Sequence, residues 1–197
     1  RPKMTLKPMT GIAVLALALA AHPCIAPAAD NTKTNQAAKA AFGKDDARNF
    51  ERLFRGNLAE VEAGKLAQGK AVAAEVKKFA DHMVTDHGKM LDELRTLAGT
   101  KGGSVPSAPD KEHANVMKRL QSQAGATFDR SYMTQMVKDH EDTLKLVKTI
   151  AEKAKDPDLK ATGEKAIPNI QEHLDMAKKT ASTTELPDKV PAKALNK

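Results

Sequence analysis

Apolar residues recur every third or fourth position through four long stretches of this chain, with charges between them, and that spacing commits it to amphipathic helices. Phe50, Phe54, Leu58 and Val61 mark the first stretch, which starts near Asp46. Val76, Phe79, Ala80, Met83, Met90, Leu91 and Leu94 mark a second, from about Glu75 to Leu97. Phe128, Tyr132, Met136, Leu144 and Val147 carry a third, from about Thr127 to Lys153. The fourth starts in "KDPDLK", where Asp156 suits an N-cap, Pro157 the first helical position and Asp158 the positive end of the helix dipole. It runs to about Lys179, and Pro168 inside it is expected to kink or split it. "GTKGGSVPSAPD" reads as a loop, and a short helix follows at about Asp110 to Gln121. Aromatic residues are 3% of the chain with no Trp, so the core must be Ala, Leu, Val and Met, a mixture that suits closely spaced helices rather than a β-sandwich. The expectation is an all-α, up-down four-helix bundle over residues 46–181 with a short extra helix between the second and third.

The flanks read differently. Residues 1–29 have the layout of an export signal: basic "RPKMTLKPM", apolar "GIAVLALALAA", then small residues with Ala26-Pro27-Ala28 before the cut. The apolar run is too short to span a bilayer, so no transmembrane segment is expected once the signal is removed. Cys24, the single cysteine, lies in this segment, and His22-Pro23 before it argue against acylation there. Without it the processed chain has no disulfide, thiolate ligand or cysteine nucleophile. Residues 30–45 read as a flexible leader and 182–197, rich in Pro and Lys, as a disordered tail. The net charge of +7 includes Arg1, Lys3 and Lys7, and the remaining charges are interleaved in sign, which argues against nucleic acid as a partner.

The histidines are unevenly placed. Met83-Val84-Thr85-Asp86-His87 and Met136-Val137-Lys138-Asp139-His140 repeat one five-residue frame. His87 lies between Met83 and Leu91 on the apolar stripe, His140 between Met136 and Leu144, and His173 between Ile170 and Ala177. His82 reads as a surface residue, and His113 has no inward pattern. Counted from the helix ends nearest one another, with the helices taken as antiparallel neighbours, the three inward histidines fall at matching heights. Three imidazoles at one level suit a zinc, iron or copper ion. The first helix can add a carboxylate: Glu62, at the edge of the stripe, ranks ahead of Glu60, although matching heights favours a position nearer Asn57. Asp86 and Asp139 point about 100° from their histidines and are expected to bond to neighbouring helices, to Lys, or to another helix's histidine. Met83, Met136 and Met176 lie one turn from the three histidines; thioethers with imidazole suit copper(I), while as core residues they simply fill space.

"NLAEVEAGKLA", "KFADHMVTDH", "GATFDRSYMTQMVKDHE" and "IPNIQEHLDMA" closely resemble the bacterial exported family called domain of unknown function 4142, over about Arg48 to Lys178. The resemblance implies a ferritin-like four-helix bundle and export to the periplasm or outer membrane; it implies no activity. A ferritin-type di-iron site would need Glu-x-x-His on two helices, whereas Val84, Val137 and Ile170 stand three residues before the inward histidines. The reading is therefore a periplasmic or outer-membrane-associated bundle that holds a transition-metal ion on His87, His140, His173 and a first-helix Glu, for metal handling or protection of the envelope from stress. No catalytic set is recognised. The alternative is a structural or interaction module of the envelope, without metal, that binds a partner or a second copy of itself.

Overall fold

The structure, a computed structural model, describes residues 41–184. The expected export signal with Cys24, most of the expected leader and the expected tail from 185 lie outside the described residues. Five helices follow in order: α1 (Lys44–Lys70), α2 (Ala74–Thr100), α3 (Lys111–Gln121), α4 (Gly125–Lys153) and α5 (Pro157–Thr184). The bundle and the short extra helix expected from the spacing are both present. α1 already starts at Lys44 and α5 runs on to Thr184, slightly past the bounds of 46–181. α5 is also unbroken across Pro168. Pro168 and Glu164 are both exposed, so the carbonyl that loses its usual donor can turn to water, and the helix continues.

The caps follow from the sequence. Asp156 accepts from the backbone N–H groups of Asp158 (3.0 Å) and Leu159 (2.9 Å), opening α5. Asp110 does the same for α3 through the N–H of His113. The hairpin turns are tied across the bundle by two buried carboxylates. Asp46 of α1 accepts from Lys155 and Asp156 N–H in the α4–α5 turn. Asp129 of α4 accepts from Val72 and Ala73 N–H in the α1–α2 turn. Each hairpin thus satisfies turn amides of the other that have no partner within their own helices. Lys101, buried at the end of α2, bonds both Asp156 and Asp158 at the start of α5.

Two apolar clusters fill the bundle. One takes Phe50, Leu53 and Phe54 from the early part of α1, Leu91 and Leu94 from late α2, Val147 and Ile150 from late α4, and Leu159 and Ile170 from the first half of α5. The other takes Ala63 and Ala67 from late α1, Val76, Phe79 and Met83 from early α2, Phe128, Tyr132 and Met136 from early α4, and Ala177 from late α5. Burying each large side chain is worth about 1.5–3 kcal/mol, so these clusters dominate stability. Their membership sets direction: α1 and α5 run one way, α2 and α4 the other. α1 packs on α2 and α4, and α5 on α4 and α2. Segment 101–124, carrying α3, therefore crosses from one end of the bundle to the other, as in bundles with one long crossover. α2 and α4 are parallel and diagonal, not the antiparallel neighbours assumed in comparing histidine heights. The heights agree nonetheless, because His87 and His140 each sit near the middle of a long helix.

Candidate metal centre

Between the two apolar clusters lies a polar layer made of Asn57 and Glu60 from α1, His87 from α2, His140 from α4 and His173 from α5, all buried. Helical spacing puts them there: each occupies the inward position between one residue of each cluster, such as Met83 and Leu91 around His87.

His87 Nδ1 lies 2.8 Å from Asn57 Oδ1. Asn57 spends an amide hydrogen on the Leu53 carbonyl at 2.7 Å, so Oδ1 is the acceptor and His87 Nδ1 carries the proton. His140 Nδ1 lies 2.8 Å from the Met136 carbonyl, which can only accept, so this ring also holds its proton on Nδ1. Both rings therefore present a bare Nε2, and the two Nε2 atoms face each other at 3.3 Å. Neutral rings in these tautomers have no proton to share across that gap. Burial holds the His87 pKa well below the usual imidazole value, helped by the nearness of His140, His173 and His82. Burial likewise pushes His140 down to about 4, against the opposing pull of the Met136 carbonyl. A metal cation between the rings would resolve the opposed lone pairs. Two nitrogens on one tetrahedral ion at about 2.0–2.1 Å stand about 3.3–3.4 Å apart, which these rings match.

His173 completes the group. Its ring centroid lies 5.1 Å from that of His87 and 5.5 Å from that of His140. One ring nitrogen from each of the three residues lies within 4.8 Å of the others. His173 Nε2 makes a long contact, 3.4 Å, to Asp86 Oδ2 of α2, and its buried Nδ1 has no hydrogen-bond partner. Burial lowers its pKa, and Asp86 opposes that.

The remaining candidates divide. Glu62 is exposed, on the far side of α1 from the layer, because two residues of helix turn a side chain by about 200° and Glu60 takes the inward place. Glu60 is buried with Oε1 at 3.9 Å from His140 Nδ1. That is the protonated edge of the ring, so Glu60 stands behind His140 rather than beside its Nε2. Burial raises its pKa well above the usual carboxylate value, and the charge of Asp139 raises it further; its Oε2 has no partner. Tyr132, whose buried hydroxyl is also unpartnered, is raised by burial and by Glu60. Asp139 takes a hydrogen bond from Gln135 at 2.8 Å, and burial raises its pKa. Asp86 is half-buried and meets His82, Lys89 and His173. Burial pushes it up, but those partners outweigh burial and hold it below its usual value. Met83 and Met136 are buried in the adjoining apolar cluster, with Met176 half-buried against it.

Two contributors escaped the sequence reading. Asn57 was approached by height but carries no charge, so a search for carboxylates passes over it. His82 is a surface residue as expected, yet its ring lies 5.5 Å from that of His173 and its Nε2 3.1 Å from Asp86 Oδ2. The signal was there in the spacing of four between His82 and Asp86, which puts them on one helix face.

Fold and site together define an all-helical bundle with one crossover and a histidine-lined polar layer at mid-height. The chain belongs to the family described as "Domain of unknown function (DUF4142)", whose model matches residues 31–180. No match is found among curated proteins. Among solved structures it is similar to CopM in the Cu(II)-bound form, at 17% identity and a TM-score of 0.60 over 70% of this chain and 96% of that one. It is similar also to CopM in the Ag-bound form, at 19% identity and a TM-score of 0.57 over the same shares. A fragment of a DUF305 protein from Deinococcus radiodurans aligns at 9% identity with a TM-score of 0.64, over 73% of this chain and 99% of that one. These likenesses are of fold.

Proposed function

We propose that this protein is an exported metal-handling bundle that holds one transition-metal ion on His87, His140 and His173 in the bacterial envelope. The observation that carries the reading is the pair of bare Nε2 atoms at 3.3 Å, fixed in that tautomer by Asn57 and the Met136 carbonyl. Partners of this kind orient metal-bound imidazoles and strengthen them as donors. Three neutral nitrogens without thiolate suit zinc, copper or iron. Copper is the first ion to test, because the buried methionines next to the layer favour a soft ion and the similar CopM structures carry copper and silver. Export rests on the signal-like residues 1–29, and no helix among the described residues is long and apolar enough to cross a membrane. Protection of the envelope from metal stress is the role such a site would serve.

Elemental analysis of protein purified without a His-tag tests the reading, with the His87→Ala/His140→Ala/His173→Ala variant alongside. About one ion per chain is expected in the wild type and none in the variant. Equal metal content in both would overturn it. A melting temperature indifferent to chelator and to added copper or zinc would instead favour the metal-free structural module, since a bound ion must stabilise the folded state by mass action.

A further inference from the structure

His173 belongs to two ligand groups. Besides the buried trio, His82, Asp86 and His173 also bring one ligand atom each within 4.8 Å of one another. The second group grades from exposed His82 through half-buried Asp86 to buried His173. Its contacts are His82 Nε2 to Asp86 Oδ2 at 3.1 Å and Asp86 Oδ2 to His173 Nε2 at 3.4 Å. A surface cavity of about 210 Å³ between α2 and α5 opens onto Asp86 and His173. The imidazoles thus form a continuous series from solvent inward: His82 to His173 at 5.5 Å, then His173 to His87 at 5.1 Å and to His140 at 5.5 Å between ring centroids.

Resting on the metal-binding reading above, we propose that His82, Asp86 and His173 form an entry site through which the metal ion reaches the buried trio, with His173 common to both stations. The chemistry of the two groups supports this division. Two imidazoles and one carboxylate, two of the three open to solvent, make a weaker, faster-exchanging site than three buried imidazoles, because water can compete for the bonds to His82 and Asp86. A neutral imidazole carries one proton and offers one lone pair, so a neutral His173 serves one station at a time. The ion leaves the outer group as it enters the inner one, and no change of oxidation state is involved. His173 Nδ1, nine-tenths buried and without a partner, shows that this ring is not committed to a closed hydrogen-bond network that the transfer would have to break.

Cu(II) is the probe, followed by stopped-flow absorption and rapid-freeze electron paramagnetic resonance on the full chain. In the wild type an early signal from a two-nitrogen site should give way to a slower three-nitrogen signal. His82→Ala, at an exposed position, should cut the loading rate at least tenfold and remove the early signal. In His87→Ala/His140→Ala the early signal should persist as the final state, and adding His82→Ala to that variant should abolish it. Loading of His82→Ala at the wild-type rate would overturn the entry site, and so would a three-nitrogen signal from the first time point. If the wild type takes up Cu(II) but shows either of those results, the entry site falls while the buried centre stands. If the wild type takes up no Cu(II), both fall.

Discussion

The same five residues, Met-Val-x-Asp-His, occur on α2 and α4, and the two copies live in opposite electrostatic surroundings. On α2, Asp86 meets imidazoles and a lysine and is held below its usual pKa. On α4, Asp139 is half-buried near Glu60 and is raised. His87 takes its orienting partner from a side chain on another helix, Asn57, whereas His140 takes its partner from its own helix's backbone at Met136. Local sequence sets the direction in which these side chains leave the helix. What they meet is set by the neighbours: α5 brings His173 toward Asp86, and α1 brings Glu60 toward Asp139. Since α2 and α4 run parallel on the bundle's diagonal, both histidines still arrive at one level, so the copies agree in position and differ in environment.

The largest effect should come from the feature the copies share. His87→Ala and His140→Ala should each lower Cu(II) affinity by more than about 100-fold, since loss of a mere orienting partner already costs about 10–100-fold in known metal sites. Competition titration against a chelator of known affinity reads this. Asn57→Ala should fall in that lower band, an effect with no counterpart at His140, whose support is a backbone carbonyl. Equal, negligible losses at all three positions would break the idea that both copies serve one ion.

Acid should come next. Without metal, both buried rings are neutral when folded and take a proton when unfolded below about pH 6.5. Their contribution is intact above that value and is lost as pH falls toward the folded values. For His140, with its pKa pushed down to about 4, the loss amounts to about 3 kcal/mol across that window. Denaturant midpoints at pH 7 and pH 4.5 measure it, and His140→Gln should flatten the dependence.

Glu60 has the opposite sign. Its raised pKa means that stability is full below the ordinary carboxylate value and declines as pH rises. Glu60→Gln should therefore raise the melting temperature near pH 7 by about 2–4 °C, an effect of about 1 kcal/mol, and give no gain at pH 4. A loss at pH 7 would mean that the carboxylate is ionised and paired, and the contrast between the copies would shrink.

The smallest effects separate the two aspartates. Asp86→Asn removes part-exposed pairs with Lys89 and His82 and should cost under about 1 kcal/mol. Asp139→Asn relieves a half-buried carboxylate beside a buried one and should be neutral or slightly stabilising. Thermal melts of both variants at pH 7 decide whether the signs differ.

Much of this protein was legible before its structure. The period of three to four residues dictated the helices, the Gly, Pro and Ser cluster marked where the chain leaves α2, and Asp156-Pro157 announced the start of α5. The inward phase of His87, His140 and His173 was equally readable, because a side chain's direction on a helix depends only on its position in the turn. Glu62 shows the limit: it stands about 200° around the helix from Glu60, only one of the two can face the core, and here Glu60 took it. Helix direction was beyond the pattern too, because an amphipathic helix buries the same face whichever way it runs, and only the crossover 101–124 made α2 and α4 parallel. The pairing of Asp86 with His173, the confrontation of Glu60 with Asp139 and the 3.3 Å gap between two bare nitrogens all join residues distant in the chain. Such contacts depend on distances between helices, which no local spacing encodes.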